Sequence, residues 1–206
     1  GIDDHWGYRY LIQNVHTAYR GIGISGGDVT ILDCSNPTGI LYTIRGDAPY
    51  ADGDLRMERC YGQGAVFYCD RTADARATNR KWFDNIVIRD CVAKAANGTS
   101  AVHIKEGPVS DTHTRTNSIL LDNVRLDGVG TLTTVNLLAG PTNQLLANSA
   151  LVRGGQSQPG VIGATAEARQ SFVNVDADYI VVRDLVGWNG LFGRTVTAAD
   201  LGNASH

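Results

Sequence analysis

Helix-length apolar periodicity is missing from this chain, and so is much of what accompanies it: there is one Met in 206 residues and only 19% charged side chains. A helical bundle and an α/β fold are excluded on that ground. No run of 18 apolar residues occurs, so no helical membrane span is expected. An excess of positive charge is lacking too. Eighteen Lys and Arg stand against 21 Asp and Glu, a net charge of −3, which argues against a nucleic-acid partner and its need for a basic face. Four cysteines with no Cys-x-x-Cys element argue against zinc. No cofactor is expected. What the chain does have is 24 glycines and a repeat.

The segment Ile86-Val87-Ile88-Arg89-Asp90-Cys91 recurs in degenerate form. Its counterparts begin at Tyr10, Val29, Leu55, Ile119, Leu145 and Ile180. Positions one, three and six are apolar or small, and position five is Asp, Asn, Arg or Ser. Apolar residues at one and three with a polar residue between them are the period-two signal of a strand with one buried face. Position five breaks the alternation where the chain must turn, and Asp or Asn tolerates the backbone angles of a bend. A Gly usually follows, then a second short strand, as in 39–44 and 101–105.

The fold expected is all-β: a right-handed parallel β-helix, a single-stranded solenoid of about seven coils with lateral loop insertions. Coils stack about 4.7–4.9 Å apart in such an array. Position six would then form an internal column of Val15, Cys34, Cys60, Cys91, Val124, Ala150 and Leu185, with the cysteines as buried free thiols. A β-sandwich also fits short strands, but it does not require one column pattern in every segment. The domain is expected over 10–197, after a lead-in segment 1–9 from a missing upstream region and before a C-terminal tail 198–206. A first coil without a cap calls for a longer parent chain or for partner subunits over its open end.

Chemistry is expected along one flank. Three insertions leave after a second strand and return before the next first strand. The first holds Tyr50 with Asp47, Asp52 and Asp54; it looks superficially like a calcium loop, a weak reading because the EF-hand spacing is absent. The second runs from Asp70 through Arg80, Lys81 and Trp82, and the third carries Asp111, His113 and Arg115 just after His103, Lys105 and Glu106. Side by side these loops would form a lateral groove for a polysaccharide, with Trp82, Tyr50, Arg80, Lys81, Asp70 and Trp6 holding it. Lys105 or Arg115 would neutralise a uronate carboxylate while His103 or His113 takes a neighbouring proton. Alternatively Glu106 with Asp111, or Asp47 with Asp70, would be the carboxylate pair of a hydrolase. Near the start, Asp3 and Asp4 directly precede His5, and a carboxylate close to an imidazole can orient it as a general base. From Val129 onward the chain carries little chemistry beyond a polar ladder of Asn136, Asn143 and Asn148, and 156–177 reads as a surface insertion.

The repeat, in segments such as Asn85-Ile86-Val87-Ile88-Arg89-Asp90-Cys91 and Ser118-Ile119-Leu120-Leu121-Asp122-Asn123-Val124, resembles the pectate-lyase-like right-handed β-helix superfamily over roughly residues 8–195. Irregular coil lengths make it most like a bacteriophage tailspike or virion spike. That resemblance implies a homotrimer, on a virion or otherwise extracellular, that binds bacterial surface polysaccharide and either cuts it or only recognises it. Gly1-Ile2-Asp3-Asp4-His5 also resembles the Tyr-Gly-Phe-Asp-Pro-His element of alginate epimerases, which implies catalytic Asp3 and His5 in a freestanding lyase or epimerase. A purely structural spike module is the third reading.

Overall fold

The computed structural model describes residues 1–4, 7–24, 27–44, 53–70, 83–94, 101–105, 116–127, 135–138, 147–153, 156–157, 173–175 and 177–183. Among them there is no helix, and all the strands pair in parallel within three sheets. Sheet 1 contains β2 (Arg9–Gln13), β4 (Asp28–Leu32), β7 (Asp54–Glu58), β10 (Asn85–Arg89), β13 (Thr116–Asp122), β16 (Ala147–Arg153) and β19 (Ala177–Arg183). Sheet 2 contains β5 (Ser35–Asn36), β8 (Tyr61–Gln63), β11 (Val92–Lys94), β14 (Arg125–Asp127) and β17 (Gln156–Ser157). Sheet 3 contains β1 (Ile2–Asp4), β3 (Ile22–Ile24), β6 (Tyr42–Ile44), β9 (Phe67–Asp70), β12 (Val102–Lys105), β15 (Val135–Leu138) and β18 (Val173–Val175). From β4 onward the chain visits sheets 1, 2 and 3 in turn.

Sheet 1 is the repeat made visible. Position one aligns Val29, Leu55, Ile86, Ile119, Ala150 and Ile180, and position three aligns Ile31, Met57, Ile88 and Leu121. These two rows are buried as far as Leu121, while the residues between them face out. Position five then takes the left-handed conformation in five successive repeats: Asn14, Asp33, Arg59, Asp90 and Asn123 have φ of 56, 54, 52, 51 and 53°. Asn and Asp reach that region at least cost among residues with a side chain. The bend carries the chain from sheet 1 into sheet 2.

Position six is buried just past the bend at Cys34, Cys60, Cys91 and Val124. The backbone N–H groups of Tyr61, Val92 and Arg125 donate to the carbonyls of Cys34, Cys60 and Cys91 at 3.0, 2.9 and 2.9 Å, so the three cysteines lie one above another. Each thiol also donates back across the left-handed residue, to Leu32 O at 3.1 Å, Glu58 O at 3.2 Å and Arg89 O at 3.0 Å. A small side chain with a weak donor therefore fills the column and satisfies a carbonyl next to the bend. Under sheet 3 the filling is aromatic. The Tyr42 and Phe67 rings stack at 5.1 Å, and Phe83 meets Phe67 edge-on at 6.4 Å.

Three expectations need correction. Two strands per repeat were expected; sheet 2 adds a third, of two or three residues, directly after position six. The sixth segment does not begin at Leu145, because Ala150 pairs with Ile119 and Ile180. The repeat there begins at Ala150, five residues later, and Ala150 leaves the position-six column. The stretch 156–177 is not wholly an insertion, since it opens with β17 and closes with β18 and the first residue of β19. The tail 198–206 and position-six Leu185 lie outside the described residues.

Candidate functional site

The outer face of sheet 1 spends its polar groups on itself. Arg9 lies 3.5 Å from Asp28, and Asp28 accepts the Asp54 N–H at 3.0 Å. Asp54 in turn accepts the backbone and side-chain N–H groups of Asn85 at 3.1 and 2.9 Å, and Ser118 Oγ contacts Asn85 Oδ1 at 2.7 Å. Each of these strands is tied to the next by a side chain, and Asp54 serves this ladder; its expected calcium-loop partners Asp47 and Asp52 lie outside the described residues. Arg56 and Arg59 both clasp Glu58, at 2.8 and 3.2 Å.

The outer face of sheet 3 is built differently. Register aligns Asp3, Gly23, Thr43, Tyr68, His103, Asn136 and Asn174 in one row. In β3, β6, β9 and β12 the neighbours on both sides of this row are buried, so the row faces outward there. Tyr68 and His103 stack face to face, with centroids 4.8 Å apart and planes 15° from parallel. Adjacent parallel strands put residues in register about 4.8 Å apart, so in-register rings stack without distortion. The pair makes a shelf of two stacked rings, each covering one face of the other.

Two strands from this shelf lies a cleft of about 380 Å³. Asp3, Gly23 and Thr43 of the same row line it, together with Gly1, Tyr19 and Arg20 from outside the sheet. The loop carrying Tyr19 and Arg20 is held at both ends. Thr17 N donates to Ser35 O at 2.8 Å, Thr38 Oγ1 donates to Ala18 O, and Ile22 N donates to Leu41 O at 2.6 Å. Tyr19 nevertheless remains 86% exposed.

The sequence candidates distribute as follows. His103 and Lys105 occupy alternate positions of β12, and register sets them against Tyr68 and Asp70 of β9. Asp3 shares the row of His103 but lies on β1, with β3, β6 and β9 intervening, four strand spacings or roughly 19 Å away. Proton transfer requires hydrogen-bond reach, so Asp3 and His103 do not form one catalytic pair. The insertions expected on one flank do leave from β6, β9 and β12 and return at β7, β10 and β13, which are neighbours in their sheets. Their residues Tyr50, Arg80, Lys81, Trp82, Glu106, Asp111, His113 and Arg115, as well as Asp47, Asp52, His5 and Trp6, lie outside the described residues. The asparagine ladder does not form as expected: Asn136 aligns with Asn174 in sheet 3, Asn148 belongs to β16 in sheet 1, and Asn143 lies outside the described residues.

Tyr19, Arg20, Gly23, Thr43 and Tyr68 were not foreseen. A signal for Gly23 existed, because an isolated Gly inside a strand often marks close approach by a ligand or a backbone. For Tyr68 the signal was its alternation with Phe67 and Cys69. The buried thiols are no rival site. The hydrogen bond that Cys91 gives Cys60 holds the Cys60 thiol below its ordinary value and, with burial, raises Cys91. Cys60 is nonetheless only 2% exposed, in the core beneath the sheets, where no substrate reaches it. In comparisons with known proteins, no family model, no curated protein and no solved structure matches this chain.

Proposed function

We propose that this chain is a right-handed parallel β-helix of about seven coils that recognises bacterial surface polysaccharide along the outer face of sheet 3, as a receptor-binding spike of a virion does. The reading takes the three sheets as the three faces of one winding. Parallel strand-to-strand crossovers are right-handed in nearly all known cases, which supports the handedness. The observation that carries the binding reading is the Tyr68–His103 shelf at 4.8 Å. It offers the edges of two stacked rings and the outer face of each, in a row that also holds Gly23 and Thr43, beside three insertions that leave from strands adjacent in sheet 3. Pyranose rings have flat apolar faces edged by hydroxyls, so a ring stack with Thr43 next to it in the row suits them. Trimerisation side by side and an extracellular or virion location belong to the same reading.

Recognition is the reading that the Tyr68–His103 stack supports. Within the outward row Asp3 and His103 lie roughly 19 Å apart, too far to act on one bond together. The test is binding of purified capsular and O-antigen polysaccharides to sensor-bound protein, with light scattering for the oligomer. Tyr68→Ala and His103→Ala should each weaken binding about tenfold, the equivalent of ~1.4 kcal/mol. Unchanged binding in both variants overturns the reading.

A further inference from the structure

We propose that the cleft at Gly23 is a separate subsite for one neutral pyranose ring, covered by Tyr19 and held through adjacent hydroxyls by Asp3 and Arg20. The assignment rests on the glycan reading above and extends it to a place two strands away from the Tyr68–His103 shelf.

The outward row of sheet 3 has one residue without a side chain among its first five, and it is Gly23. Backbone conformation does not require glycine there. The described glycines at positive φ are Gly27, Gly53 and Gly64, and Gly23 is an ordinary strand residue between the buried Ile22 and Ile24. Glycine weakens a strand interior, so its presence at an outward position points to something that must come close to the backbone. Its missing side chain leaves a notch between Asp3 and Thr43, whose strands are two spacings or roughly 9–10 Å apart. That width admits a sugar ring lying on the backbone of β3.

The walls agree with the floor. The cleft of about 380 Å³ falls within the size range of small-ligand pockets. Tyr19 presents a large ring to water at its rim, on a loop whose ends are already fixed by hydrogen bonds. Preorganisation of that kind reduces the ordering needed on binding. Asp3 offers only acceptors and Arg20 only donors, whereas each sugar hydroxyl can both donate and accept. The two charges balance, so a neutral ring with hydroxyls on both sides suits the cleft. A uronate would set its carboxylate against Asp3, and a cation would meet Arg20.

The experiment is saturation-transfer NMR on the full chain with methyl α-glucoside, methyl α-galactoside, methyl α-mannoside and sodium glucuronate as probes. Transfer is expected to at least one neutral glycoside. It should fall about tenfold in Tyr19→Ala and in Gly23→Val. Valine suits an outward strand position, and circular dichroism checks that Gly23→Val keeps its sheets. If it does not, Tyr19→Ala, an exposed change, carries the test alone. The subsite is overturned by absence of transfer to all three neutral glycosides, by stronger transfer to glucuronate, or by a signal that survives both cleft variants. Failure of the wider reading looks different: polysaccharide binding indifferent to Tyr68→Ala and His103→Ala while the glycoside signal still depends on Tyr19.

Discussion

Arg59 grips Asp33 with two edges of its guanidinium, Nε donating to Oδ1 at 2.6 Å and Nη2 to Oδ2 at 2.9 Å. Both residues stand at position five of their repeats, with φ of 52 and 54°, so the fork joins one left-handed bend to the next. Asn123 does the same to Asp90, Nδ2 donating to Oδ1 at 2.7 Å. Position five thus answers two demands together. Its backbone must enter a region that few residues tolerate, and its side chain must hold the neighbouring bend in register.

The Asp33 fork sets a pH dependence. The Arg59 hydrogen bonds hold the Asp33 carboxyl below its ordinary value. A carboxylate whose folded value is depressed adds stability that is present above its unfolded value, near 4, and is lost as pH falls through the lower folded value. Both side chains are partly exposed, so the effect is small and weakened by salt. In urea melts at low ionic strength, wild type should lose stability more steeply below about pH 4 than Asp33→Asn does. Parallel curves for the two proteins would rule the fork out as a contributor.

Asp90 tests the bend itself. At φ 51° its backbone is left-handed and its side chain is exposed, so substitution there reports conformation more than packing. Asp90→Gly and Asp90→Ile both lose the bond from Asn123. Only isoleucine adds the steric penalty of a branched side chain in this region, about 1–2 kcal/mol. Chemical denaturation should therefore rank Asp90→Ile below Asp90→Gly by that margin, and equal stabilities would show that the bend does not need its left-handed residue.

The bend at position five was legible in the sequence, and the reason is physical. Residues such as Asp33, Asp90 and Asn123 are chosen by backbone angle, and position six by a narrow buried space, so both leave residue-type signatures. Sheet 2 left none, because strands as short as Ser35–Asn36 hold less than one full alternation. The misplaced segment had a different cause. Leu145 and Ala147 satisfy positions one and three as well as Ala150 and Val152 do, and only pairing with Ile119 decides between them. The cleft was illegible because Ile22-Gly23-Ile24 reads as core, while Tyr19 and Arg20 reach it by way of a loop.

The stacked cysteines make a chemical prediction. All four thiols are free and buried, Cys34 at 1%, Cys60 at 2%, Cys69 at 3% and Cys91 fully. The hydrogen bond from Cys91 makes Cys60 the more acidic of its pair, and thiolate is the reactive form. Burial should override acidity. An aromatic disulfide reagent at about pH 8, near the free-thiol value, should find no reactive thiol in the native protein and all four after unfolding. Rapid modification of Cys60 in the folded chain would mean that the position-six column is open to solvent.

Two neighbours in β9 separate fold from function. Phe67 is 1% exposed and lies between Tyr42 and Phe83, whereas Tyr68, one residue on, faces outward against His103. Strand alternation gives them opposite tasks. Phe67→Ala should remove about 3–5 kcal/mol of stability, because it takes the middle ring from an aromatic stack and leaves a cavity. Tyr68→Ala should change stability by less than about 1 kcal/mol, the weight of one ring pair on an outer face, while it weakens polysaccharide binding about tenfold. Urea melts and sensor binding on the same two variants check both halves. A Tyr68→Ala protein that binds normally but melts early would make the shelf a structural brace, and the glycan surface would then have to be sought elsewhere.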